Sequence, residues 1–263
     1  MKKYFFVFRT SLQRFVEYRS EIVLDIGGKV LLPIFVQGVL WSSVTATAGG
    51  TLAGYTLGGL ITYVVFSIII YNLMNVGFVE REIANAIREG DLNKFLSKPV
   101  DFMLYYFFVF LADNLPVFAA SLVLGGLAAA FGVVAVQPQN FAFGITAIIL
   151  AMYLSYIIAF LIAMLAFWME EVWTLFVMKN MSFWFLTGQI IPLDLFPPEV
   201  QETMKFLPFG YLAYFPTKIL TNRLAPPEIL FGLTVICAWI FFLTLLYKLF
   251  WDYALRKYGA FGG

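Results

Sequence analysis

Histidine is absent from the 263 residues, cysteine occurs once, and charged residues make up only 13%. Without histidine there is no Ser-His-Asp triad, no Cys-His pair, no HExxH zinc site and no haem held through imidazole. The single cysteine, Cys237, has no partner for an intramolecular disulfide, and its apolar surroundings predict a small buried hydrophobe. Charge is balanced, with 17 Lys+Arg against 16 Asp+Glu, which argues against nucleic-acid binding as a main task. A phosphate loop is also missing. Gly27-Gly28-Lys29 is followed by Val30, and no glycine stands at the required upstream position. This chain does not hydrolyse ATP by itself.

Apolar surface fills the space those absences leave. Hydrophobic residues make up 62%, with 30 Phe, 14 Tyr and 6 Trp, where a soluble domain carries roughly 45–50% apolar and about 25% charged residues. The runs are long enough to cross a bilayer, which needs about 20 apolar residues per helix. Six spans are expected: Val30–Ala48, Tyr55–Phe78, one crossing within 104–136, Phe141–Trp168, Val172–Ile191 and Ile229–Phe250. Gly49-Gly50, Gln137–Asn140 and Glu170-Glu171 read as turns between them. Uninterrupted runs without strand alternation make these helices rather than barrel strands. The fold class is all-α, a polytopic membrane protein in a single transmembrane domain over residues 1–263.

Met1–Glu21 lacks the pattern of a secretory signal. Phe5, Phe8, Leu12, Phe15 and Val16 recur at helical spacing, opposite Arg9, Gln13, Arg14 and Glu17. With Lys2, Lys3 and Arg19 beside its polar face, residues 1–21 are expected to lie flat in the headgroup layer, or else to pack on protein. Positive charge sets the orientation. With the N-terminus inside, 14 of the 17 Lys and Arg residues fall on the inner side, and only Lys205, Lys218 and Arg223 fall outside. Both termini are therefore expected in the cytoplasm.

Two polar or irregular segments stand out. In residues 79–100, Val79, Ile83 and Ile87 repeat at four, with Glu80, Arg81, Glu82, Arg88 and Glu89 around them. Gly90 fits a helix stop, Asp91 the cap of a short second turn, and Pro99 its end. Such a hairpin either docks in a groove on another protein or hugs the membrane as a solvated loop. In residues 192–228, Phe196-Pro197-Pro198-Glu199 opens a short helix and Leu207-Pro208-Phe209 breaks it. Gly210–Leu220, kinked by Pro216, forms a second piece too short to span. These pieces fit re-entrant helices, either a lid over a path or a plug in the bundle. Asp113 and Lys179 are the few charges within the runs, and Gly54 and Gly58 form a lone GxxxG.

The chain resembles the membrane subunit of an ABC-2-type exporter. The layout matches throughout: a flat N-terminal helix, six spans, a cytoplasmic helix between spans two and three, and outer re-entrant helices between five and six. Local matches are Ile87-Arg88-Glu89-Gly90-Asp91-Leu92 running into Leu96-Ser97-Lys98-Pro99-Val100, and the more specific Thr187-Gly188-Gln189-Ile190-Ile191-Pro192-Leu193-Asp194-Leu195-Phe196-Pro197. Leu207-Pro208-Phe209, Tyr211 and Pro216 continue the pattern. One departure is Asn222-Arg223, where relatives often carry a glycine.

The resemblance implies a permease without its own nucleotide-binding domain. It would pair with a second permease subunit, identical or related, in a bacterial inner membrane. Two copies of a separate ATPase, holding ATP and Mg, would drive cargo outward. The ATPase-coupling interface would be Glu80, Glu82, Ile83, Ile87, Arg88 and Asp91, with Glu170 and Glu171 touching the same partner. An outer gate would involve Pro192, Phe196, Pro197, Pro208, Phe209 and Pro216. The alternatives are a secondary transporter or channel, for which the spans offer no convincing midplane charge, and a membrane-embedded enzyme or assembly factor, for which they offer no acid cluster.

Overall fold

A computed structural model describes residues 2–17, 24, 26–132 and 140–258. The end of the expected N-terminal helix beyond Glu17, with Arg19, lies outside the described residues, as do most of the Gln137–Asn140 turn and the end of the third span beyond residue 132. Among the described residues the fold is helical, apart from one two-stranded hairpin.

Helix α1 (Lys2–Glu17) carries the foreseen helical periodicity. A π-helical turn (Gly27–Leu31) leads into α2 (Leu32–Thr47), with Pro33 at its second position. Proline has no N–H for the carbonyl four residues earlier. That carbonyl belongs to Lys29, and Asn72 Nδ2 donates to it at 2.9 Å. Gly49 and Gly50 both take positive φ, and a hairpin of β1 (Thr51–Leu52) and β2 (Tyr55–Thr56) follows around Ala53-Gly54. Both turn residues have positive φ, as a two-residue hairpin turn requires.

Helix α3 (Leu57–Leu73) opens on Thr56, whose hydroxyl accepts from the Gly59 N–H at 3.3 Å. It breaks at Met74–Val76 and resumes as α4 (Gly77–Arg88). Backbone groups exposed by a break inside an apolar bundle need partners, and neighbouring helices supply them. Ser155 Oγ donates to the Met74 carbonyl at 2.8 Å, and Asn114 Nδ2 donates to that of Asn75 at 3.2 Å. Gly90, at φ 82°, stops α4 as expected. The short α5 (Asn93–Leu96) begins after Leu92, so Asp91 does not cap it and instead pairs with Lys94 at 2.7 Å.

Helices α6 (Phe102–Ala130) and α7 (Phe141–Ala163) follow, α7 ending in a 3-10 turn, Met164–Phe167. Helix α8 (Trp173–Leu186) is short. Its 14 residues cover about 21 Å at 1.5 Å per residue, against a hydrocarbon core of about 30 Å. Among the described residues, five helical stretches are long and apolar enough to cross a membrane: 27–47, 57–88 counted through the break, 102–127, 141–167 and 226–256. The expected fifth span, Val172–Ile191, is this 14-residue helix followed by bends at 187–191.

After α8 come α9 (Pro198–Met204), a 3-10 turn at Phe209–Tyr211, α10 (Tyr214–Leu220) and α11 (Pro226–Lys257). The expected kink at Pro216 does not occur. Gly210–Leu220 divides into two pieces, and Pro216 sits in the first turn of α10, where a missing N–H is harmless. Asn222 adopts φ 54°, so the turn where relatives often carry glycine keeps a left-handed residue and fills it with the side chain that tolerates it best.

Helix α7 is the hub. Gly144, Ala147, Ala151, Ser155, Ala159 and Ala163 are all buried and form a stripe of small residues at steps of three and four. Small stripes let helix backbones approach closely, and α4, α10 and α11 all pack on α7. Gly54 and Gly58, by contrast, have open space beside them among the described residues. The close approaches occur elsewhere: a Cβ on Gly232 would strike the Phe215 ring, and one on Gly144 would strike Leu220. Cys237 is exposed on α11 rather than buried.

Candidate coupling surface and cavities

Helix α1 packs along α6. Tyr4 stacks on Phe108 with ring centroids 5.5 Å apart, the Asp101 N–H donates to Tyr4 Oη at 3.1 Å, and Lys3 bonds the Pro99 carbonyl. Phe5 and Phe6 stay exposed, which leaves an apolar edge free beside the packed face.

Helix α4 has two faces of different character. Val79, Glu80, Ile83, Ala84, Ala86 and Ile87 are buried in the chain's own bundle. Arg81, Glu82, Asn85, Arg88 and Glu89 are exposed. Apolar residues at steps of three and four create this division, as an amphipathic helix requires. Of the residues expected to meet a partner, Ile83 and Ile87 therefore point inward, 1% and 4% exposed, and Glu82 and Arg88 point outward.

Glu80 is buried as well, in an ion pair with Lys179 of α8. The Arg81 guanidinium lies over the Trp173 ring, 5.6 Å from its centroid. Glu171 Oε1 accepts from the Trp173 N–H at 2.7 Å and so orders the start of α8. Glu170 and Glu171 are both exposed. The tertiary structure thus joins the 79–100 hairpin to the 170–173 turn, two segments about 80 positions apart in the sequence.

A cavity of about 640 Å³ opens between α2, α3 and α8, above this joint. Its wall is mostly apolar, from Leu32, Val36 and Leu40 of α2 and Phe183 and Trp184 of α8, with Lys29, Gln37, Asn72, Lys179 and Gln189 among its polar members. A second cavity, about 540 Å³, lies at the opposite end between the 193–218 segment and the start of α11.

The opposite end is organised around Asp194. Tyr55 Oη donates to its carboxylate at 2.5 Å and Tyr214 Oη at 2.7 Å. Lys218 Nζ lies 3.0 and 3.1 Å from its two oxygens. Burial by itself raises the Asp194 pKa, but the two tyrosine hydrogen bonds and the Lys218 charge outweigh it and hold the carboxyl below its ordinary value. The Arg223 guanidinium stacks 3.6 Å from the Tyr55 ring centroid. Tyr63 Oη donates to the Gly188 carbonyl at 2.6 Å, and the Tyr214 N–H to that of Thr187 at 2.9 Å. The hairpin before α3, the bends after α8 and α10 are therefore tied at one point.

A family model described as ABC-2 family transporter protein matches residues 31–262. The chain belongs to that family. No curated protein matches it. In this ABC-2 family protein the residues expected at an outer gate occupy different settings. Pro192, Pro208 and Pro216 are buried, Phe196 and Phe209 are half-buried, and Pro197 is exposed. Phe209 packs edge-on against Phe183 of α8, with centroids 5.6 Å apart.

Sequence reading missed two features of this ABC-2 protein. Asp194 stood inside a matched block without an assigned role, because its partners lie 139, 20 and 24 positions away. The Glu80–Lys179 pair spans 99 positions. The available signal for the latter was an isolated lysine in an apolar run, since an unpaired charge there is too costly to keep.

Proposed function

We propose that this ABC-2 protein is the permease subunit of an exporter, driven by a separate ATPase that engages the exposed charged face of α4. The observation that carries this reading is the anchoring of α4. A helix transmits force only if it is rigidly joined to the spans it must move. Ile83 and Ile87 pack into the bundle, the Glu80–Lys179 pair ties α4 to α8, and only three residues separate α4 from α3. Opposite that anchor, Arg81, Glu82, Asn85, Arg88 and Glu89 face away from the bundle as a mixed-charge surface. Glu170 and Glu171 extend it beside Trp173.

On this reading two ATPase copies, carrying ATP and Mg, close on these surfaces in a pair of permeases, identical or related. The closure rocks α3, α4 and α8 and moves cargo from the α2–α3–α8 cavity past the Asp194 cluster. The membrane is a bacterial inner membrane with both termini cytoplasmic, supported by the inner-side excess of Lys and Arg. Helix α8 with the 187–191 bends makes the fifth of six crossings, and α9 and α10 are the outer re-entrant pieces.

The test is gentle extraction from the native membrane and identification of what copurifies. An ATPase in equal number with the permease is expected, and it is lost in Glu82→Lys with Arg88→Glu while the permease stays monodisperse. A stable permease preparation that never carries an ATPase, and whose transport follows an ion gradient, overturns the reading. The same preparation reports whether a second, unlike permease is present.

A further inference from the structure

Several polar side chains inside this bundle act as ties between elements. Asn72, Asn114 and Ser155 each donate to a backbone carbonyl of a neighbouring segment. Gln37 and Gln189 do not follow that pattern. Each is only 8% exposed, and the side-chain oxygen of each has no hydrogen-bond partner among the described residues. They come from different elements, α2 and the bends after α8, and both line the α2–α3–α8 cavity. A buried acceptor without a partner is costly, and polar residues kept inside a membrane-spanning bundle are functional candidates by default. Charge on this wall is already engaged: Lys179 pairs with Glu80, and Lys29 also has a partner. The open polar capacity of these two glutamines is neutral and hydrogen-bond accepting.

We propose that this cavity binds an uncharged amphiphile whose polar group is a hydrogen-bond donor, a hydroxyl or an amide N–H. Gln37 and Gln189 accept from that group, and the apolar body lies along Leu32, Val36 and Phe183. Taking this occupant as the cargo class rests on the exporter reading. The cavity, about 640 Å³, is within the roughly 300–1,000 Å³ of small-molecule sites, and a mostly apolar wall with a few placed polar groups is their usual composition. The terminal torsion of glutamine is broad, so either amide can turn its oxygen to the cavity. A donor satisfies that oxygen, whereas an ether offers it only another acceptor. An ionic head group would leave water for a wall whose lysines are already engaged, at a large desolvation cost.

Trp184 lines the cavity and serves as the reporter. The full-length protein is placed in nanodiscs of phosphatidylcholine, whose head group has no donor. Bromoundecanol, brominated on its terminal carbon, is titrated while tryptophan quenching is followed. Its methyl ether is the matched probe without the donor. Saturable quenching by the alcohol is expected, and it falls in Trp184→Phe. The ether binds about three- to tenfold more weakly, the range of one hydrogen bond. Gln37→Leu combined with Gln189→Leu weakens the alcohol to the level of the ether and leaves the ether's own Kd unchanged. The unchanged ether shows that the cavity is intact in the variant.

Equal Kd for alcohol and ether, an alcohol Kd unchanged in the double variant, or quenching that persists in full in Trp184→Phe overturns the proposal. So does tighter binding of the same chain bearing a sulfate or trimethylammonium head. Adding dioleoylglycerol, a neutral lipid with a free hydroxyl, to the nanodisc separates the sources. Competition supports the site and identifies a bilayer lipid as its occupant, whereas no competition supports a cargo other than that lipid. No ATPase is present, so these outcomes are independent of the exporter reading. Donor-selective binding in a permease that couples to no ATPase would refute that reading alone. Donor-blind binding in one that copurifies with an ATPase would refute this proposal alone.

Discussion

Glu80 and Lys179 form an ion pair with side chains 1% and 5% exposed, joining helix α4 to α8. Two charges taken out of water gain little stability over an apolar pair of similar size, but leaving one of them alone is expensive. The pair therefore acts as a register between two helices, and removing half of it is worse than removing both. Lys179→Met is expected to cost about 3–5 kcal/mol, while Glu80→Leu combined with Lys179→Met falls within about 1 kcal/mol of the parent or above it. Thermal unfolding of purified protein in nanodiscs measures this, and a double variant as damaged as the single one would overturn the register account.

On the proposed reading, the two faces of α4 separate coupling from folding. Glu82→Lys and Arg88→Glu alter exposed residues, so stability is expected to shift by no more than about 0.5 kcal/mol, while ATPase association is lost. Ile83→Asp places a carboxylate at a position 1% exposed and is expected to reduce the yield of folded permease before any partner is involved. Parallel measurement of membrane yield and ATPase recovery distinguishes the two. A normally folded Ile83→Asp permease would contradict the inward placement.

Acid should loosen the cluster built on Asp194. Its folded pKa lies below the ordinary value of 3.8, so its contribution is fully present above that value and fades as pH falls through the lower folded one. The parent is therefore expected to unfold at a higher temperature than Asp194→Asn at pH 7, and the difference shrinks as pH drops below about 4. A gap that stays constant from neutral to acid pH would show that the carboxylate charge does not hold the cluster.

Gly188 combines two constraints. Its φ is +76°, and a Cβ there would sit 2.8 Å from Tyr214 Cβ and 3.1 Å from Tyr63 Oη. Gly188→Ala is expected to destabilise by about 2 kcal/mol or more, from left-handed strain plus overpacking. Gly58→Ala, with open space beside it, is expected to be neutral or slightly stabilising, because alanine suits a helix better than glycine. Equal melting temperatures for the two variants would refute the distinction.

Much of this protein was determined by local chemistry that sequence carries openly. Long apolar runs compel helices, because backbone groups in lipid must bond within their own segment. Gly90 ends α4, Pro198 opens α9, and the stretch from Glu80 to Glu89 divides into apolar and charged faces by its spacing alone. The blocks around Gly90 and Asp194 already carry the resemblance to ABC-2 proteins in the sequence itself.

Which way those faces turn was decided only by the tertiary structure. Periodicity identified Ile83 and Ile87 as one face of a helix and allowed a partner's groove or a loop hugging the membrane; packing on α7 instead buries that face in the chain's own bundle. Similarly, α7 is apolar on every side, so hydrophobicity could not reveal its small-residue stripe as the seam for α4, α10 and α11. Residues 99 and 139 positions apart, Glu80 with Lys179 and Tyr55 with Asp194, meet because helices fold back on one another. Local propensity has no access to such pairs. It acts over a few residues of backbone, whereas a buried charge finds its counter-charge only through the three-dimensional path of the chain.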